Sequence, residues 1–199
     1  MNKNSIAKKL LALKQADLDL RNQLLQGGQL SEGYNKEMEA LHRSNAQQLA
    51  QLIDTIGYPT VERVGEEASA AAWLLIQHAI SLPDFMRRCR TLLEEAVRAG
   101  QADPVHLAYL SDRIAVFEGK VQRYGTQFDW DAEGRLSPQL LDDRAMVDAR
   151  RKAIGLNTLE EQTELLRQRA DGEKQVPPGD ARDRKRAYDI WRKAVGWID

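Results

Sequence analysis

Between Glu66 and Ile80 the chain gives a helix almost no polar face. Ala68, Ala70, Ala71, Ala72, Trp73, Leu74, Leu75 and Ile76 crowd into one short span, and a helix that is apolar all round is covered all round. Its alanines permit close approach by neighbours, so the surroundings are expected to be other helices packed tightly against it. The same span raises a question of chemistry, because Gln77 and His78 interrupt the run AAWLLIQHAI. A buried amide or imidazole left unpaired costs roughly 1–3 kcal/mol, so partners must come from elsewhere in the chain. At 3.6 residues per turn His78 shares a face with Ala71, Leu74 and Leu75, the face expected to be covered.

The rest of the chain supplies the covering elements. Ile6, Leu10, Leu13, Leu20, Leu24 and Leu25 form an apolar stripe over residues 5–26, stopped by Gly27-Gly28, and Met38, Leu41, Leu49, Leu52, Ile53 and Ile56 form a second over 35–56. Ser81-Leu-Pro-Asp has the look of a helix start resembling a capping box, and the helix it opens runs to Gly100. Asp103-Pro104 opens another, ending before Gly119. The stretch TQFDWDAEGRLS predicts a short hairpin, after which Ser137-Pro138 restarts helix to about Ile154, and a further helix covers about 159–169. The fold class is therefore all-α, with about seven to eight helices and one small β-hairpin near residues 124–137. The expected organisation is a leading amphipathic helical hairpin or extension over 1–56, and a core helical domain over 57–170. A Gly/Pro-rich linker over 171–180 leads to a C-terminal helix over 181–199, whose Trp191 and Trp197 dock on the core or on a partner.

Composition excludes several function classes. Of 199 residues, 29 are Lys or Arg and 30 Asp or Glu, a net charge of -1 that gives no general pull toward nucleic acid. No window approaches the ~18 apolar residues of a membrane span, and the N-terminus lacks a secretory apolar core. With Cys89 the only cysteine, no intrachain disulfide forms and a reducing, cytoplasmic setting is expected. No Walker loop, GxGxxG, HExxH or GxSxG is present. His42 and His106 lie on helices without paired ligand spacing, so neither a metal nor any other cofactor is expected.

Five motifs in order, GYPT at 57–60, VGEEASAAAWLLIQHA at 64–79, LAYLSDR at 107–113, QRYGTQF at 122–128 and the closing WRKAVGW, resemble a bacterial family catalogued as a domain of unknown function. The resemblance spans residue 57 to the end and implies a bacterial origin and a shared fold, with no activity to carry over. Tyr58 stands where that family is expected to have Trp, and the leading 55 or so residues are less typical of it.

The candidate site gathers the polar residues of these motifs. His78 is the candidate acid or base, Asp112 its orienting carboxylate, and Tyr124 a third catalytic candidate. Arg113 is the anion clamp, and Gln77, Gln122, Thr126 and Gln127 the remaining ligand-binding candidates. This arrangement suits a small-molecule site, of enzymatic type, acting on an anionic substrate. The competing structural reading makes Asp112 and Arg113 an ion pair that pins helix to hairpin, and lets the 124–127 segment satisfy Gln77 and His78 across the core. A second functional class is a non-catalytic interaction protein that forms a homodimer through its N-terminal helices or docks partners on its Trp-rich end.

Overall fold

The computed structural model describes residues 2–29, 34–177 and 179–199, and among them nine helices and one two-stranded antiparallel sheet. The chain divides into two compact units, Met1–Asp103 and Pro104–Asp199. Both leading helices belong to the first unit. No helix among the described residues is long and apolar enough to cross a membrane.

The first unit holds α1 (Lys3–Gln26), α2 (Lys36–Ile56), the single turn α3 (Val61–Val64), α4 (Glu66–His78) and α5 (Pro83–Arg98). α4 is its hub: α1, α2, α3 and α5 all pack against it, and α1 also meets α2 and α3. Burial follows the sequence pattern at Ala68, Ala71, Ala72, Leu75 and Ile76, while Ala70 is exposed and Trp73 and Leu74 are partly so. One edge of α4 therefore faces solvent, and the helix is covered on three sides. Each neighbour contributes its stripe, Ile6, Leu10, Leu13 and Leu24 from α1, and Met38, Ala46, Leu49, Leu52 and Ile53 from α2. The two start signals fared differently. Asn35 caps α2 by accepting from the N–H groups of Glu37 and Met38. α5 has no side-chain cap, because Leu82 and not Ser81 occupies its N-cap, with Pro83 as the first helical residue.

The second unit holds α6 (Pro104–Phe117), β1 (Phe128–Trp130), β2 (Leu136–Pro138), α7 (Arg144–Ala153), α8 (Leu159–Gly172) and α9 (Ala181–Val195). The hairpin pairs Phe128 with Pro138, Asp129 with Ser137 and Trp130 with Leu136. Its turn is organised by Asp131, whose carboxylate accepts from the N–H groups of Glu133 and Arg135 and from the Ser137 hydroxyl. Pro138 closes β2 and does not restart helix. Residues 139–142 stay extended because Gln122 pairs with them, donating its N–H to Leu140 O and accepting from Asp142 N, and Asp143 then caps α7 through Met146 N. α8 begins in a full capping box, Thr158 with Glu161, and its Arg167 donates to Leu136 O at 2.8 Å and Ser137 Oγ at 2.9 Å, holding β2.

The C-terminal helix docks within its own unit. Phe117, at the end of α6, stacks on Trp197 at 4.9 Å between ring centroids and meets Trp191 edge-on at 5.6 Å. Arg192 donates to Phe117 O at 3.0 Å, closing the carbonyl end of α6. Gly125 is needed for a specific reason. Its φ is +61°, and an added Cβ would stand 2.7 Å from Leu159 Cδ1 and 3.1 Å from Leu141 Cδ2. A left-handed Ala costs about 1–2 kcal/mol and overpacking about 1–3, so Gly125→Ala is expected to lower stability by about 2–4 kcal/mol in urea unfolding. An unchanged midpoint would show that the loop repacks freely.

Candidate functional site

Among the described residues the most concentrated polar group is in the first unit, where α1, α2 and α4 meet. Asp17 of α1 is wholly buried, His42 of α2 is buried, and His78, the last residue of α4, keeps 28% of its side chain exposed. Asp17 occupies a stripe position: Leu10, Leu13 and Asp17 are spaced i, i+3, i+7, and Met38, His42 and Asn45 on α2 are spaced i, i+4, i+7. Helix periodicity thus carries both polar side chains inward along with the leucines. Asn45 makes the crossing specific by donating to Leu13 O at 3.3 Å.

The three side chains converge on one oxygen. His78 Nδ1 lies 2.9 Å from Asp17 Oδ2 in a hydrogen bond, and His42 Nε2 lies 3.1 Å from the same oxygen, off the line of an N–H···O bond. The two imidazoles are 4.9 Å apart between centroids. Behind them Tyr34 stacks on His42, its hydroxyl 2.5 Å from His42 Nδ1 and also donating to His78 O at 3.4 Å. Asp17 Oδ1, equally buried, accepts no hydrogen bond among the described residues. Burial alone would raise the Asp17 carboxyl; the His78 hydrogen bond and the two imidazoles set close against the carboxylate outweigh it and hold Asp17 well below the usual carboxylate range. Burial, with the charges of Glu39 and Asp17, pushes the Tyr34 phenol well above its ordinary value, so it remains a neutral hydroxyl.

The carboxylate that orients His78 is therefore Asp17 and not Asp112. The 112 carboxylate is filled by its own loop: Oδ1 accepts from Arg123 N at 2.9 Å, and Oδ2 accepts from Thr126 N at 3.0 Å and Thr126 Oγ1 at 3.1 Å, with Tyr124 N shared between them. Burial pushes this carboxyl up, against the pull of those hydrogen bonds. The carbonyls of the same loop face Arg151, which is 2% exposed and donates to Tyr124 O and Gly125 O as well as to both oxygens of Asn157. Gln122, wholly buried, donates to Gln127 O and Gln139 O and accepts from Gln127 N. Gln127 donates through its side chain to Thr126 Oγ1. Asp112, Gln122, Thr126, Gln127 and Arg151 are thus engaged with one another's loops, with Asn157 and with backbone. Arg113 lies half-buried on α6 with Tyr188 in electrostatic reach, and Tyr124 enters the network through its backbone. In the first unit Gln77 is buried beside His78 on α4.

Sequence reasoning found His78 and missed Asp17, His42 and Tyr34. The expectation of no metal-ligand constellation rested on spacing along the chain, yet the folded unit brings one ligand atom each from Asp17, His42 and His78 within 4.8 Å of one another. The available signal was a polar residue standing where the stripe requires an apolar one, at 17 and at 42. Chain spacing could not supply it, since the three residues sit on three helices.

A model described as a family of unknown function (DUF6624) matches residues 4–175. The match takes in the leading helices, which the motif resemblance had left out, and stops before α9. No curated protein and no solved structure matches the chain.

Proposed function

The chain belongs to that family of unknown function, and from its residues we propose that the first unit carries a small-molecule site of acid–base type, centred on His78 and oriented by Asp17. The observation behind it is the unequal burial of the pair. Asp17 is sealed off, while the His78 imidazole it grips at 2.9 Å keeps an edge open to solvent. An imidazole whose Nδ1 is fixed by a buried carboxylate presents Nε2 as the working nitrogen, with its tautomer and orientation set. Nothing in this reading draws on Asp112, Arg113 or the 122–127 segment. A partner-binding role gains less support, because Leu10, Leu13 and Leu24 of α1, Leu49, Leu52 and Ile53 of α2 and Trp197 are buried, leaving Leu25 as the exposed residue of the α1 stripe.

The probe is p-nitrophenyl acetate, an activated ester that any exposed, oriented imidazole hydrolyses. In buffer with chelator, the full chain is expected to outpace free imidazole at equal concentration. His78→Gln should lose about 10- to 100-fold of that rate, at the low end of acid–base effects, with helicity retained. Equal rates for wild type and His78→Gln would sink the reading.

A further inference from the structure

We infer that Asp17, His42 and His78 form a binding site for one divalent first-row transition-metal ion of the zinc class, an inference that rests on the same centre being the functional one and names its cofactor. The donor set is two imidazole nitrogens and one carboxylate oxygen, brought together from three helices within 4.8 Å. Around one ion with bonds of about 2.0–2.1 Å, neighbouring ligand atoms stand roughly 3 Å apart. The two separations from Asp17 Oδ2, 2.9 and 3.1 Å, are already of that size.

Two unsatisfied atoms point the same way. Asp17 Oδ1 accepts nothing among the described residues, and His42 Nε2 makes no hydrogen bond although it stands near Oδ2. Buried polar atoms of this kind call for an absent ion or water. An ion between the three groups would bind His42 at Nε2, which makes no hydrogen bond to Oδ2, and would place charge beside the idle carboxylate oxygen. Imidazole and carboxylate together suit zinc, cobalt, iron or nickel, and a single carboxylate with two nitrogens is a poor host for magnesium or calcium.

The surroundings can follow the exchange of proton for metal. Neutral His78 ligating through Nδ1 carries its proton on Nε2, at the exposed edge. Neutral His42 ligating through Nε2 carries its proton on Nδ1, which then donates to the Tyr34 oxygen at 2.5 Å, the outer partner that metal-bound histidines require. The Tyr34 proton is in turn directed at His78 O. With three protein ligands a coordination position stays open for water, which the ion would make the acid–base group of the site.

The test uses the tag-free full chain, stripped with chelator and titrated with Co²⁺ by visible absorption and with Zn²⁺ by calorimetry. One ion per chain is expected. His42→Ala and His78→Asn should each weaken binding at least 100-fold, and Tyr34→Phe about 10-fold, in line with outer partners of metal ligands. His106→Gln, outside the centre, should leave it unchanged, and millimolar Mg²⁺ should not compete. Because His42→Ala removes a buried ring, its helicity is compared with wild type, and the half-exposed His78→Asn carries the result if His42→Ala unfolds. No binding tighter than about millimolar, or binding that survives His78→Asn, overturns the inference. A chain that binds no ion yet keeps His78-dependent ester hydrolysis in chelator loses the metal site alone; a chain with neither loses the acid–base reading too.

Discussion

Asp112→Ala is expected to lower the unfolding free energy by about 3–5 kcal/mol, the largest effect of any single substitution in the second unit. The carboxylate accepts from the N–H groups of Arg123, Tyr124 and Thr126 and from one hydroxyl, and each buried donor left unpaired costs about 1–3 kcal/mol. These losses are not additive, since the loosened loop recovers some of them from water, which keeps the total inside the range of severe single-site changes. Asp112→Asn keeps one acceptor oxygen and should fall between wild type and Asp112→Ala. Urea unfolding followed by far-ultraviolet circular dichroism measures the difference. A loss under about 1 kcal/mol would mean that Arg151 alone holds the 123–126 segment, and would reopen a catalytic role for Asp112.

Asp17→Ala is expected to cost about 2–4 kcal/mol, because it strips a buried hydrogen-bonded carboxylate from between two imidazoles. Its more telling signature is in pH. The carboxyl titrates near 3.9 in an unfolded chain and well below that in the fold, where His42 and His78 hold it as an anion against its burial. A group whose folded value is depressed contributes stability that is complete above about pH 5 and drains away as the pH falls through 4 and below. For the metal-free protein, the melting temperature of wild type should therefore fall more steeply between pH 5 and pH 3 than that of Asp17→Asn. Parallel slopes would show that Asp17 is not anchored as an anion.

The fold was largely legible because hydrophobic periodicity dictates it. The stripes at 5–26 and 35–56, the apolar run at 66–80 and the aromatic turn segment at 126–137 all became the elements they suggested. What failed was local. Pro138 looked like a helix start and ended a strand, since the backbone of Gln122 claims residues 140 and 142, a pairing that no local signal announces. The site was half legible. Asp112 is buried while His78, expected to be covered, keeps part of its side chain exposed; the two were matched to each other when each has a different hydrogen-bond partner. A sequence states that a polar group on an apolar face needs company; it does not state whose. Asp17 sits among Lys14, Gln15, Asp19 and Arg21 and reads as one more surface charge until its register with Leu10 and Leu13 is counted.

The meeting of α1, α2 and α4 at one carboxylate oxygen makes the chemistry of position 78 a property of the assembled trio. The segment around QHA holds no reactivity of its own; an ordinary solvated imidazole is all it would present alone. Whatever loosens α1 withdraws Asp17 from His78 on α4, so on the proposed reading the stability of an N-terminal helix governs how much of the centre stands assembled at any moment.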